Sequence, residues 1–355
     1  MLVFLFQTNG ILAQPTSFAT QAKELLDKAV QEQQCIGIAA GFAINGEMTW
    51  QQGAGFRDQE GELDFTPATA TRIASITKPM TAIAIMQLYE QGKLKLDEPI
   101  QTYLPDYPRK KEGEITIRQL LQHSSGIDGY KNTREQENQK HYPTLEDAVN
   151  IFKNRDLVAP PGQSFHYTTY GYDVLGLIIE RVTGMTYETY LQINIWDKAL
   201  MSNTGIEHEN VVFPDKSKLY HKNDKGKLSS ADPTDVSDRI PGGGVYSTIS
   251  DLLRFGSAIQ NFTLIKESTF ALMVDDPHLK TQGNGYGLGW YLYGENPKYG
   301  NVYGHNGTQT GASTFLVLLP EVQTTIVVLS NTSGAMQAVS DIAIKLFDLA
   351  HEARM

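Results

Sequence analysis

Cysteine is all but missing from this 355-residue chain: Cys35 stands alone, which excludes an intramolecular disulfide and any cysteine cluster for zinc. Following a helical stretch, that thiol is expected to pack as a small buried hydrophobe. Histidine does not make up the deficit. The eight histidines are scattered, with no His-Glu-x-x-His or similar helical pair, so neither a metal nor another cofactor is expected. Apolar runs of 18 or more residues are lacking, and with them any candidate membrane-spanning helix. Positive charge is short as well, with 30 Lys and Arg against 40 Asp and Glu and a net charge of -10. The only basic run is at residues 109–111, too little to grip a nucleic-acid backbone. No serine has glycine both two before and two after it, which removes nucleophile-elbow hydrolases. The glycines at 283, 285, 287 and 289 never reach the Gly-x-Gly-x-x-Gly spacing of a dinucleotide site.

What is present is ordinary globular composition, with 41% apolar and 20% charged residues, enough to bury a sizeable core in one large domain or two. Residues 1–15 include two short apolar runs and read as a possible signal remnant, although a basic leader is absent. Export to the periplasm or medium is expected if that reading holds, and a cytoplasmic protein if it does not. Phe18, Ala22, Leu25, Leu26 and Ala29 then recur at helical spacing behind Thr16 or Ser17 as a cap. Strict alternation from Ile36 to Ile44, the Asn45-Gly46 dipeptide and a returning strand over 48–53 predict a hairpin. The far end mirrors this, with strands over 314–319 and 325–329 and a last amphipathic helix marked by Val339, Ile342, Leu346 and Leu349. Helical patterns fill the middle, around 82–91, 117–122, 145–153, 172–182 and 249–258, while 131–142 and 221–238 look like long surface loops. The economical fold class is α+β: one antiparallel sheet built from both ends (about 16–75 and 280–355), flanking helices, and an inserted helical lobe (about 76–279).

Three segments carry chemistry. Ser75-Ile-Thr-Lys78 precedes a mostly apolar helical stretch, so a hydroxyl and an amine three residues apart would share one face. A serine hydroxyl needs a base within hydrogen-bond reach, and Lys78 could be one. The same spacing also arises by chance from a serine near a helix start and a solvated lysine one turn on. Tyr167, in Phe165-His-Tyr-Thr-Thr-Tyr170, could act as a base if a lysine stabilised its phenolate, or could simply pack its ring and expose its hydroxyl. Tyr303-Gly-His-Asn-Gly-Thr-Gln-Thr-Gly-Ala312 offers small residues that let a strand edge approach a ligand, or merely turn and bulge glycines.

In this order the three segments resemble the serine beta-lactamase and penicillin-binding protein superfamily, and specifically its class C beta-lactamase-related branch of esterases and D-amino-acid peptidases. Further phrases add to the likeness, among them Gln91-Gly-Lys-Leu-Lys-Leu-Asp-Glu-Pro99, Leu120-Leu-Gln-His-Ser-Ser-Gly126, Gly242-Gly-Gly-Val-Tyr-Ser-Thr248 and Tyr286-Gly-Leu-Gly-Trp290. The resemblance spans roughly residues 20 to 350 and implies a beta-lactamase/transpeptidase-like fold. It implies Ser75 as the acylated nucleophile, Lys78 as the group that helps remove its proton, and Tyr167 as second base and donor to the leaving group. The backbone N–H groups of Ser75 and Thr308 would hold the oxyanion, with Thr169, His305, Asn306 and Gly307 binding substrate.

Two positions depart from the pattern. Thr169 stands where the tyrosine motif usually has asparagine, and a hydroxyl offers one donor where the amide offers two. His305 stands where true class C beta-lactamases have lysine, and an imidazole is mostly neutral at pH 7. Both shift the expectation away from beta-lactams, towards a metal-independent serine hydrolase acting through an acyl-enzyme on small esters, amides or short peptides. The alternatives are a true beta-lactamase or DD-carboxypeptidase, and a non-hydrolytic penicillin-binding or sensor module.

Overall fold

A computed structural model describes residues 17–208, 213, 215–275, 279 and 285–354. Residues 1–15, where a signal remnant is expected, and the alternative cap Thr16 lie outside them. Helix α1 (Phe18–Gln31) starts on Ser17, whose hydroxyl accepts from the Thr20 amide. Strands β1 (Gly37–Ile44), β2 (Glu47–Asp58) and the short β3 (Leu63–Asp64) follow. The lobe contains helices α2 (Thr77–Glu90), α3 (Ile117–Leu121) and α4 (Tyr170–Thr183), and the chain then returns through α5 (Ile249–Gln260). Strands β4 (Tyr291–Asn296), β5 (Gly300–Gln309), β6 (Ala312–Leu319) and β7 (Thr324–Ser330) lead to helix α6 (Met336–Glu352).

The main sheet runs β3-β2-β1-β7-β6-β5-β4, with antiparallel neighbours throughout. Its seam is the pairing of β1 with β7, from Ile38 opposite Ser330 to Ile44 opposite Thr324, which joins the two ends of the chain. Asn45 and Gly46 both have positive φ (52° and 81°), the geometry that a two-residue hairpin needs to follow strand twist. Strand alternation then sorts the side chains. Phe42, Val317 and Val328 face outward onto Leu26 of α1 and Leu346 of α6, whereas Ala39, Leu316 and Val327 face inward onto the large core that contains Ile83, Ile178 and Leu253.

Three features differ from the sequence expectation. Strand β2 continues to Asp58, past the predicted end at 53. Strands β4 and β5 are sheet members although Tyr291–Asn296 and Gly300–Gln309 are rich in glycine and polar residues, which depress strand propensity. Finally, α5 lies on the sheet rather than in the lobe. Gln260 donates to Thr325 of β7 at 2.7 Å and Ser250 to Gln51 of β2 at 2.8 Å, and a Cβ at Gly256 would lie 2.4 Å from Thr325. The segments expected as loops hold a short helix (Thr133–Gln136) and two three-residue strands, Tyr220–Lys222 and Leu228–Ser230. Cys35 is buried as expected, and burial pushes its thiol up to about 12. Among the described residues no helix is long and apolar enough to cross a membrane.

Candidate active site

From Thr69 to Leu88 every residue is buried except Ser75. A helix apolar on all sides must sit inside the protein, and α2 does so, with Thr77 to Leu88 wholly enclosed between sheet and lobe. Ser75 lies just before it in a 3-10 turn, Ala74–Ile76. In such a turn positions i and i+3 eclipse, so Ser75 and Lys78 face the same space. Ala74 has a left-handed φ of 49°, uncommon for a residue with a Cβ. Thr314 holds this strained corner by donating to the Ile73 carbonyl at 2.9 Å, and Thr77 by donating to the Ala74 carbonyl at 2.7 Å.

Lys78 is fully buried, with its Nζ 3.1 Å from Ser75 Oγ, 2.9 Å from the Gly242 carbonyl and 3.4 Å from Thr169 Oγ1. Burial, helped by the Arg239 charge and opposed by Asp173, brings its ammonium from an ordinary 10.5 down to about 7. The Tyr167 ring lies 4.8 Å from the same Nζ. Burial raises the Tyr167 hydroxyl well above its usual value, and a hydrogen bond with Ser75 only partly opposes this. Burial thus opposes the resting phenolate on which a role as a base would rest.

Gly307 brings β5 against the turn that carries Ser75. A Cβ there would lie 2.5 Å from the Ile73 carbonyl oxygen and 2.4 Å from Thr314 Oγ1, so only glycine allows the approach. The next residue, Thr308, is exposed. Pairing with β4 stops at Gly304, which leaves the edge of β5 from His305 onward without a strand partner among the described residues. The β5–β6 hairpin closes through Gln309 opposite Ala312, and a two-residue hairpin closes on a pair that exchanges both hydrogen bonds. Thr308, one residue back, consequently turns its N–H towards the open edge.

The remaining expected residues fall differently. Thr169 meets Lys78 through its hydroxyl, and its methyl packs on Gly242, where a Cβ would come within 2.5 Å. Its hydroxyl therefore faces Lys78, and the residue is half-buried. His305 is wholly buried, with Nδ1 donating to the Asn306 carbonyl at 2.6 Å and Nε2 accepting from the Tyr286 hydroxyl at 3.0 Å. Burial and the Lys78 charge bring it down to about 3, so it is neutral and has no free nitrogen for a substrate carboxylate. Asn306 pairs with Phe315, a member of the outer core, so alternation turns its side chain to the far face of the sheet.

Three residues without a role assigned from the sequence belong to the site. His123 holds three consecutive residues: its carbonyl accepts from His166 N at 2.7 Å, its Nδ1 from Thr168 N at 3.3 Å, and its ring lies 4.2 Å from that of Tyr167. Gly242 supplies the carbonyl that orients Lys78, and the glycine triplet at 242–244 was the only cue to a close approach. Asp173, one turn along α4 from Thr169, is fully buried, and neither carboxylate oxygen has a donor among the described residues. Burial pushes its carboxyl well up, and the nearby Asp238 adds to this. A lone aspartate in an apolar helix gives no sequence signal of such a position. No group of three His, Cys, Asp or Glu among the described residues could hold a metal ion.

Comparison with known proteins identifies the fold and the family. The human serine beta-lactamase-like protein LACTB, mitochondrial, is 28% identical over 392 residues, covering 84% of this chain and 72% of that protein. The octameric penicillin-binding protein homologue from Pyrococcus abyssi superposes with a TM-score of 0.82 at 27% identity, covering 94% of this chain and 77% of that one. The D-amino acid amidase from Ochrobactrum anthropi SV3 shares the fold, with a TM-score of 0.81 at 22% identity over 95% of this chain and 99% of that one. The Beta-lactamase family model matches residues 22–350, and the chain belongs to that family of serine hydrolases.

Proposed function

We propose that this protein hydrolyses small esters, amides or short peptides through an acyl-enzyme on Ser75. The observation that carries this reading is a fully buried Lys78 amine 3.1 Å from the one residue of its run that reaches the surface. As an ammonium, Lys78 spends its three protons on Ser75 Oγ, Thr169 Oγ1 and the Gly242 carbonyl. As a neutral amine it donates to the last two and turns its lone pair to Ser75, which is the form that can take the serine proton.

The serine oxygen then bonds to the substrate carbonyl carbon, and the carbonyl π pair moves onto oxygen, where the N–H groups of Ser75 and Thr308 hold it. When the tetrahedral adduct collapses, the bond to the leaving group breaks with its electron pair. The proton taken up by Lys78 reaches that group through the Tyr167 hydroxyl, which donates one proton as it receives another. Water repeats the sequence on the acyl-enzyme and frees Ser75. The buried, neutral His305 provides no cation for a substrate carboxylate, which weighs against efficient turnover of beta-lactams and D-peptide ends.

The test is labelling with a fluorophosphonate and hydrolysis of p-nitrophenyl acetate, with Ser75→Ala as control. Both are expected in the parent protein, and the variant should lose labelling and at least about a thousandfold in kcat. Hydrolysis that survives Ser75→Ala sinks the proposal. A stoichiometric burst without turnover would favour the sensor reading.

A further inference from the structure

The edge of β5 has two unlike ends. Towards His305, the ring of Tyr167 lies 6.3 Å from His305 and is stacked 6.4 Å from Tyr291, with Tyr286 4.8 Å from Tyr291. Past Thr308, a cavity of about 500 Å³ runs over Gln309 and Thr310 to Ser230, Asp232 and Arg239. No leucine, isoleucine, valine, methionine, phenylalanine, tyrosine or tryptophan lines this cavity among the described residues. Ligand pockets are mostly apolar, so a lining of amides, hydroxyls and charges restricts what can enter.

Arg239 is the rigid part of that lining. Its side chain is 7% exposed. Its Nε and Nη2 are committed to the Asp238 carboxylate at 2.7 and 3.2 Å, and Nη2 also to the Gln136 carbonyl at 2.5 Å. The guanidinium lies 4.9 Å from the Tyr130 ring. None of these bonds uses Nη1, which leaves a fixed donor beside the cavity. The charge of Arg239 is already matched by Asp238, whereas Glu137 and Asp232, also in the lining, are exposed and make no ion pair among the described residues. The cavity therefore carries an excess of negative charge.

We propose that the substrate's acyl group is hydrophilic and not anionic, and that it occupies this cavity while the leaving group lies on the Tyr167–Tyr291 side. This rests on the acyl-enzyme reading above. The orientation follows from the proton path: the leaving group must meet Tyr167, which stands at the His305 end, so the acyl group extends past Thr308. An alkyl chain there would strip water from amides and hydroxyls and give them no partner in return. A carboxylate would face Glu137 and Asp232. An acyl group bearing an amide or hydroxyls, such as an acylated amino acid, meets donors and acceptors.

The experiment keeps the leaving group constant. kcat/KM is measured for p-nitrophenyl N-acetylglycinate, acetate, octanoate and hemisuccinate, each divided by its hydroxide hydrolysis rate, counting only the part lost in Ser75→Ala. If turnover is slow, the burst rate of Ser75 acylation is compared instead. The N-acetylglycyl ester is expected to exceed the octanoate and the hemisuccinate by about tenfold or more. The double variant Ser230→Leu with Thr310→Val should raise octanoate relative to N-acetylglycinate by about fivefold, because among the described residues neither side chain makes an internal hydrogen bond that its loss would break. Octanoate or hemisuccinate equal to or better than the N-acetylglycyl ester overturns the proposal, as does an unchanged ratio in the double variant. Hydrolysis that does not depend on Ser75 defeats the parent reading instead.

Discussion

Lys78 shows how far a residue's chemistry depends on its enclosure. In water its amine would be charged at any physiological pH, and an ammonium cannot accept a proton from Ser75. Enclosed between sheet and lobe, it falls from 10.5 to about 7 and is divided between its two forms at neutrality. In the proposed mechanism activity belongs to the neutral form, so kcat/KM on p-nitrophenyl acetate should rise with pH and level off above about 8. The high value of Tyr167 places no descending limb below pH 9. A profile flat from pH 5 to 9 would remove Lys78 from the role of base. The same shift acts on stability. Between about 7 and 10.5 the unfolded chain holds a proton at this lysine that the folded chain lacks, so this contribution to stability grows as pH rises through that window. None of this shift is visible in the tetrad itself, which reads the same on a solvated helix.

At the scale of elements, the site is a junction of four pieces: the turn before α2, the start of α4, the 240–244 segment and the edge of β5. His123, just past α3, is the clamp for one of them, holding 166, 167 and 168 through carbonyl, ring and Nδ1. Its φ of 57° suits His and Asn better than most residues. Asparagine can place Oδ1 where Nδ1 now accepts, whereas glutamine cannot. His123→Ala should lower kcat about a hundredfold with KM nearly unchanged, His123→Asn should recover about tenfold of that, and His123→Gln should not. Equal losses in all three, tracking a fall in melting temperature, would make His123 an ordinary core residue. Element positions were largely legible from sequence, because α1, α5, α6 and the β1–β2 hairpin carry full hydrophobic periods. β4 and β5 were not: in β5, Gly304 and Gly307, needed for close approach, remove the strand signal where the site requires it, and β4 is a short strand interrupted by Gly294 and ending in Glu295 and Asn296.

Across the whole molecule, one core joins what the sequence divides. Ala39 and Val327 of the sheet, Ile83 of α2, Ile178 of α4 and Leu253 of α5 belong to a single buried cluster. The lobe therefore has no separate core on which to fold. Urea unfolding should be one transition, with tryptophan fluorescence and far-UV circular dichroism coincident. Trp196 and Trp290 lie in this cluster and Trp50 in the outer one, so the fluorescence samples both sides of the sheet. An early step confined to one probe would mean that lobe and sheet separate.

Local pattern in the sequence determined the terminal helices, the hairpin, the α+β class and, through several motifs in order, the family. It also placed Ser75, Lys78, Tyr167 and Thr308 on the short list, since motif spacing is a local property. Tertiary structure alone decided their chemistry. Enclosure lowers the Lys78 ammonium to about 7 and raises the Tyr167 hydroxyl, and the shape of the sheet buries His305 and turns Asn306 away. His123, Gly242 and Asp173 reach the site from distant or unremarkable positions. Protonation and access depend on what surrounds a group in space, and neighbours in space are what a linear sequence does not list.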